Sequence, residues 1–126
     1  MALFLAALFG LFLCLTGSVF IMSPAGAVAA FGIDPSHMAD LPLAPAVGVR
    51  QLALGLIVVI LTLRRKSVAC GTVLLIMSLV PIADFIIAGK AFGYTSAVHH
   101  LVTVPMSLVL GLVLAQPLSA KNKEGF

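Results

Sequence analysis

The chain has 126 residues, of which 62% are hydrophobic and 9% charged, with a formal net charge of +3 and a mean hydropathy of +1.25. A water-soluble domain is about 45–50% apolar and about 25% charged, so a soluble fold is excluded. The few scattered charges form no basic face for nucleic acid. The length allows one domain, taken as residues 1–126.

A helix needs about 20 apolar residues to cross about 30 Å of hydrocarbon. The first such stretch covers residues 1–22. No Lys or Arg precedes it and it is long for a leader, so a first span is expected in place of a cleaved signal ending among the alanines 25–30. Ala2, Ala6, Gly10, Cys14 and Ser18 recur along it at spacing four. In lipid, small residues let helix backbones approach closely. This row is therefore expected to be a packing seam within the monomer, with a homodimer seam as the alternative.

The connection 23–45 holds Pro24, Pro35, Pro42 and Pro45. Ser23-Pro24 suits an N-cap and first helical position. A short interfacial helix over 25–31 is expected, ended by Gly32. Asp34, His37 and Asp40 are spaced D-x-x-H-x-x-D. This is weak as a metal site, because Pro35 intervenes and no helix orders the set; a solvated polar loop is expected. The second span covers 46–63, the third 68–89 and the fourth 97–116, with a tail over 117–126. Pro81 and Pro105 lie inside the third and fourth. Each removes the hydrogen bond to the carbonyl four residues earlier, at Met77 and Leu101, and kinks its helix. Cys14 and Cys70 lie in apolar runs and read as small packing residues.

Positive charge orients the bundle. Arg64, Arg65 and Lys66 follow the second span, Lys121 and Lys123 lie in the tail, and Lys90 alone falls on the other side. The expected fold class is thus all-α, an integral membrane four-helix bundle of antiparallel up-down topology with both termini cytoplasmic. The loop 23–45 then faces outward, or into a lumen.

Ionisable residues at membrane depth are costly and face the bundle interior, a partner or water. Arg50 lies fourteen residues from Arg64, about 21 Å along a helix. Asp84 lies about 27 Å beyond Lys66, and His100 about 26 Å before Pro117. Thr16 and Ser18 fall in the same half. Antiparallel neighbours therefore bring Arg50, Asp84 and His99 or His100 to similar depths in the outer half. Arg50, Gln51, Asp84, His99 and His100 are the candidate ligand-binding residues. Asp84, His99 and His100 are the candidates for acid–base chemistry, a histidine supplying a group that titrates near neutral pH. The competing structural reading is an Arg50–Asp84 ion pair between helices, with both histidines at the headgroups. H-E-x-x-H, a nucleophile elbow, a P-loop and a zinc spacing are all missing, so neither metal nor cofactor is expected.

The stretch from Gly48 to Leu56, GVRQLALGL, resembles the second-helix motif of small four-helix proteins in the DoxX-like superfamily. Pro81-x-x-Asp84 with Gly89, and then His99-His100, resembles the later motifs of one uncharacterised family there. The resemblance covers nearly the whole chain and implies a compact four-helix membrane bundle with matching positions at Arg50, Asp84 and His100. It implies no reaction. The small multidrug exporters match less well, since they carry a Glu in the first span and this first span has no carboxylate.

Three functions follow as expectations. The first is an outward-facing polar pocket for a small amphiphilic or lipophilic molecule, with Arg50 holding an oxygen and Asp84 and a histidine exchanging protons. The second is a structural or accessory subunit using the Arg50–Asp84 pair for registry. The third is a small dimeric transporter, ranked last because four short helices barely enclose a pathway.

Overall fold

The structure, a computed structural model, describes residues 1–30 and 43–116. The described elements are helical. They are α1 (Ala2–Met22), α2 (Pro24–Ala30), α3 (Leu43–Leu63), α4 (Ser67–Met77), α5 (Leu79–Phe92), α6 (Tyr94–Ala97), a 3-10 turn (Val98–Leu101) and α7 (Thr103–Ala115). Three helical stretches are long and apolar enough to cross a membrane: Ala2–Met22, Ala44–Leu63 and Ser67–Lys90. The last is α4 and α5 in sequence. The helix Thr103–Ala115 is apolar but has 13 residues, about 20 Å of length.

The prolines explain where the helices begin and break. A proline is tolerated in a first turn, where its missing N–H has no intrahelical partner in any case. Pro24 is the first residue of α2. Pro45, Pro81 and Pro105 are each the third residue of α3, α5 and α7. The second span therefore starts at Leu43, three residues before the expected position, and the kink expected at Pro81 is a helix break at Ser78. There the Ser78 N–H still reaches the Leu74 carbonyl at 3.1 Å, and its hydroxyl donates to the Leu75 carbonyl at 2.6 Å. The fourth expected span, 97–116, is likewise divided. Its first part is the short α6 and a 3-10 turn, and regular helix starts only at Thr103, two residues before Pro105.

Two antiparallel pairs make the core. α1 packs along α3, and α4 along α7. Gly10 lies against Gly55, and Gly17 against Gly48. Both pairs are seven residues apart on each helix, the repeat that keeps one seam facing a neighbour. The expected seam at spacing four is corrected accordingly. It runs through Ala6, Gly10, Leu13 and Gly17, which are buried, while Ser18 is only half-buried. A row at spacing four drifts around the helix, because 3.6 residues make a turn. On the second pair, the backbone of α7 at Leu114 and Ala115 lies against Gly71, and Leu75 lies against Gly111.

The buried apolar cluster joins Ala6, Phe9, Leu13, Val58, Cys70, Leu74, Met77, Leu110 and Leu114. It fills the half of the bundle nearest the turn between α3 and α4. That turn is a Schellman motif: the Lys66 N–H donates to the Leu61 carbonyl at 2.9 Å and the Arg65 N–H to the Thr62 carbonyl at 3.0 Å. Arg65 holds the left-handed position, at φ 53, where glycine is the usual occupant. Leu, Phe, Val and Ile side chains cover the outside in large number, as a surface facing hydrocarbon requires.

Candidate functional site

Arg50 and Asp84 meet in the half of the bundle away from the buried cluster. The Arg50 Nη2 donates to the Asp84 Oδ2 at 2.8 Å. Among the described residues this is the one ion pair, and it ties α3, of the first helix pair, to α5, which continues α4 of the second. α3 starts seven residues before Arg50, about 10 Å along the helix. Counted from the Arg64–Lys66 turn, Arg50 is about 6 Å deeper than Asp84. The long arginine side chain spans that offset to reach Asp84.

The pairing is end-on and incomplete. A guanidinium has five N–H donors in a planar fork, and a carboxylate can accept two of them side by side. Here one nitrogen engages one oxygen. The Arg50 Nε is buried with no hydrogen-bond partner, and so is the Oε1 of the adjacent Gln51. Buried polar groups are nearly always paired, so an unpaired buried donor and an unpaired buried acceptor on consecutive residues are exceptions. The side chains of Arg50 and Asp84 are otherwise 40% and 27% exposed, which leaves the pair reachable from outside the bundle.

The histidines occupy the 3-10 turn, and that turn packs beside α5. The backbone therefore brings positions 99 and 100 next to the helix that carries Asp84; their side chains lie outside the described set. Thr16 and Ser18 lie in the same half of α1 as expected, but no bond joins them to Arg50 or Asp84 among the described residues. The Thr16 hydroxyl donates to the Phe12 and Leu13 carbonyls at 3.0 and 3.1 Å, and the Ser18 hydroxyl to the Cys14 carbonyl at 2.8 Å. Both hydroxyl protons are used within their own helix, the back-bonding common for Ser and Thr inside helices. Asp34, His37 and Asp40, and the expected end of the interfacial helix at Gly32, lie outside the described residues. Among the described residues no group of three or more His, Cys, Asp or Glu could hold a metal ion.

Two features escaped the reading of the sequence. One is the incomplete pairing at Arg50, which no spacing rule encodes. The other is a shallow open surface groove at the opposite end of the bundle, lined by Leu3, Phe4, Ala7, Thr62, Leu63 and Arg65. The antiparallel register that sets Gly10 on Gly55 also sets Leu3 beside Thr62, so the groove follows once the seam is known.

No curated protein and no solved structure matches the chain. A family model does, over residues 10–114, and its description is "Domain of unknown function". That range contains Arg50, Gln51, Asp84, His99 and His100. The chain is therefore a multi-pass membrane protein that belongs to the family described as Domain of unknown function (DUF4267).

Proposed function

We propose that the chain makes four membrane crossings with both termini cytoplasmic, as in the DoxX-like superfamily that its motifs resemble, and that it holds the polar end of a small amphiphilic or lipophilic molecule at Arg50, Gln51 and Asp84. The observation that carries this reading is the incomplete pairing. Asp84 neutralises and orients the Arg50 guanidinium through one nitrogen, and the Arg50 Nε and Gln51 Oε1 remain as an unused buried donor and acceptor. A ligand carbonyl can accept from the Arg50 Nε, and a ligand hydroxyl can accept from the Nε or donate to the Gln51 Oε1, while its apolar remainder stays in hydrocarbon. Asp84, His99 and His100 are the groups for any proton transfer, as the 3-10 turn lies beside α5. The four-crossing count draws support from the helical tract of α6, the 3-10 turn and α7, which covers 94–115 in all.

Gln51→Leu tests the reading. Removing a buried acceptor that has no partner in the empty site leaves stability in pure detergent unchanged, or raises it by about 1 kcal/mol. Stabilisation by an extract of the native membrane's lipids is then lost. A variant that melts well below wild type in pure detergent and still gains from the extract sinks the proposal.

A second reading has its own support. The 2.8 Å contact between α3 and α5 is what an accessory subunit needs to hold its two helix pairs in register. In that case the pair is purely structural, and its removal costs stability with or without lipid.

A further inference from the structure

The groove at the other end of the bundle is independent of the Arg50 site. Its walls are Leu3, Phe4 and Ala7 from α1 and Thr62 and Leu63 from α3, and Arg65 stands at its mouth. The walls are apolar in effect, since the one hydroxyl, of Thr62, already donates to the Val59 carbonyl at 2.7 Å. Arg65 is exposed, as are Arg64 and Lys66 on either side, and none of the three has an acidic partner among the described residues. This basic turn ends a helix of membrane-spanning length, and the end of such a helix is where acyl chains meet headgroups. Three adjacent cations would be explained by topology alone. An apolar groove that leads directly under one of them is a separate fact.

We propose that this groove seats one acyl chain of an anionic glycerophospholipid, with the lipid phosphate held by Arg65 and the negative charge completed by Arg64 and Lys66. Charge complementarity selects the occupant. A free anion finds no donor along the apolar walls. A zwitterionic lipid brings its own cation to a turn that already carries three. The left-handed backbone at Arg65 fits the same account, because a glycine would suit that position better if only the turn mattered.

The test is native mass spectrometry of the full chain in detergent, titrated with phosphatidylglycerol, with phosphatidylcholine of identical acyl chains, and with glycerol phosphate. The expected result is retention of one phosphatidylglycerol in preference to phosphatidylcholine, with no adduct from glycerol phosphate. Each basic residue near an anionic headgroup is worth about a five-fold change in affinity. Arg65→Gln should therefore weaken retention about five-fold, and the triple replacement of Arg64, Arg65 and Lys66 by Gln on the order of 100-fold. Ala7→Leu, which fills the groove and leaves every charge in place, should also lower retention. Arg65→Gln lies on an exposed turn, so the test stays decisive even if Ala7→Leu disturbs packing. Equal retention of both lipids, or glycerol phosphate competing as well as the lipid does, overturns the proposal.

Discussion

Replacing Gly55 by Ala tests the packing between α1 and α3. A β-carbon at Gly55 would lie 2.6 Å from the Gly10 carbonyl oxygen, 2.7 Å from the Cys14 Sγ and 2.9 Å from the Cys14 nitrogen. Two of those three atoms are backbone, so the helices must separate. Ordinary contact begins near 3.4 Å, which asks for about 0.8 Å of movement. A gap of 0.5–1 Å forfeits about a quarter to a half of each dispersion contact along the seam. Overpacking of this kind costs about 1–3 kcal/mol, while alanine returns at most about 1 kcal/mol through its better helix propensity. The net expectation is a loss of about 1–2 kcal/mol. Gly10→Ala meets its nearest atoms at 3.0, 3.0 and 3.1 Å, two of them valine methyls, and should come out near neutral. Gly26→Ala meets only the Ser23 side chain, which can rotate away, so propensity decides and the variant should be as stable as wild type or more so. Thermal unfolding of the three variants in one detergent supplies the ranking. If Gly55→Ala is as stable as Gly26→Ala, the close approach of α1 and α3 is refuted.

Three further outcomes follow from particular residues. Gly93 has φ 91 and ψ 144 and nothing within 4 Å of an added β-carbon, so Gly93→Ala should cost about 1–3 kcal/mol through backbone strain alone; a melt equal to wild type contradicts that geometry. Arg65→Gly relieves a left-handed arginine and should raise stability by up to about 1 kcal/mol in detergent lacking anionic lipid; the same melt shows whether the turn is held as described. Gln51→Leu, as argued above, should keep its stability in detergent and lose its response to native lipids.

The sequence made the elements legible because long apolar runs and the residues that interrupt them have few interpretations in a bilayer. Met1–Met22 and the run ending at Leu63 read directly, and so did the meeting of Arg50 with Asp84. The seam was misread at its far end, at Ser18 in place of Gly17. In a membrane helix both the lipid face and the packed face are apolar, so hydropathy marks the span and leaves its orientation to small differences among Gly, Ala and Ser. The break at Ser78 was read only as a kink at Pro81. Proline removes one donor, but whether the chain bends or breaks depends on what Ser78 can bond, which is local geometry. The incomplete Arg50–Asp84 contact was beyond reach for a related reason. Spacing brings two charges to one depth, and the number of bonds between them depends on how far apart α3 and α5 stand.

The most direct test of the Arg50–Asp84 site is a double-mutant cycle of Arg50→Ala and Asp84→Ala, followed by thermal stability in detergent with and without the native lipid extract. Hydrogen bonds between membrane helices average about 0.6 kcal/mol and reach about 1.7, and this pair is half-exposed and end-on. The account predicts a coupling of no more than about 1 kcal/mol, variants close to wild type in pure detergent, and loss of the stabilisation that the extract gives wild type. Single variants that lose stability strongly, a double variant that recovers most of it, and an unchanged response to the extract would show the pair to be structural and contradict the account.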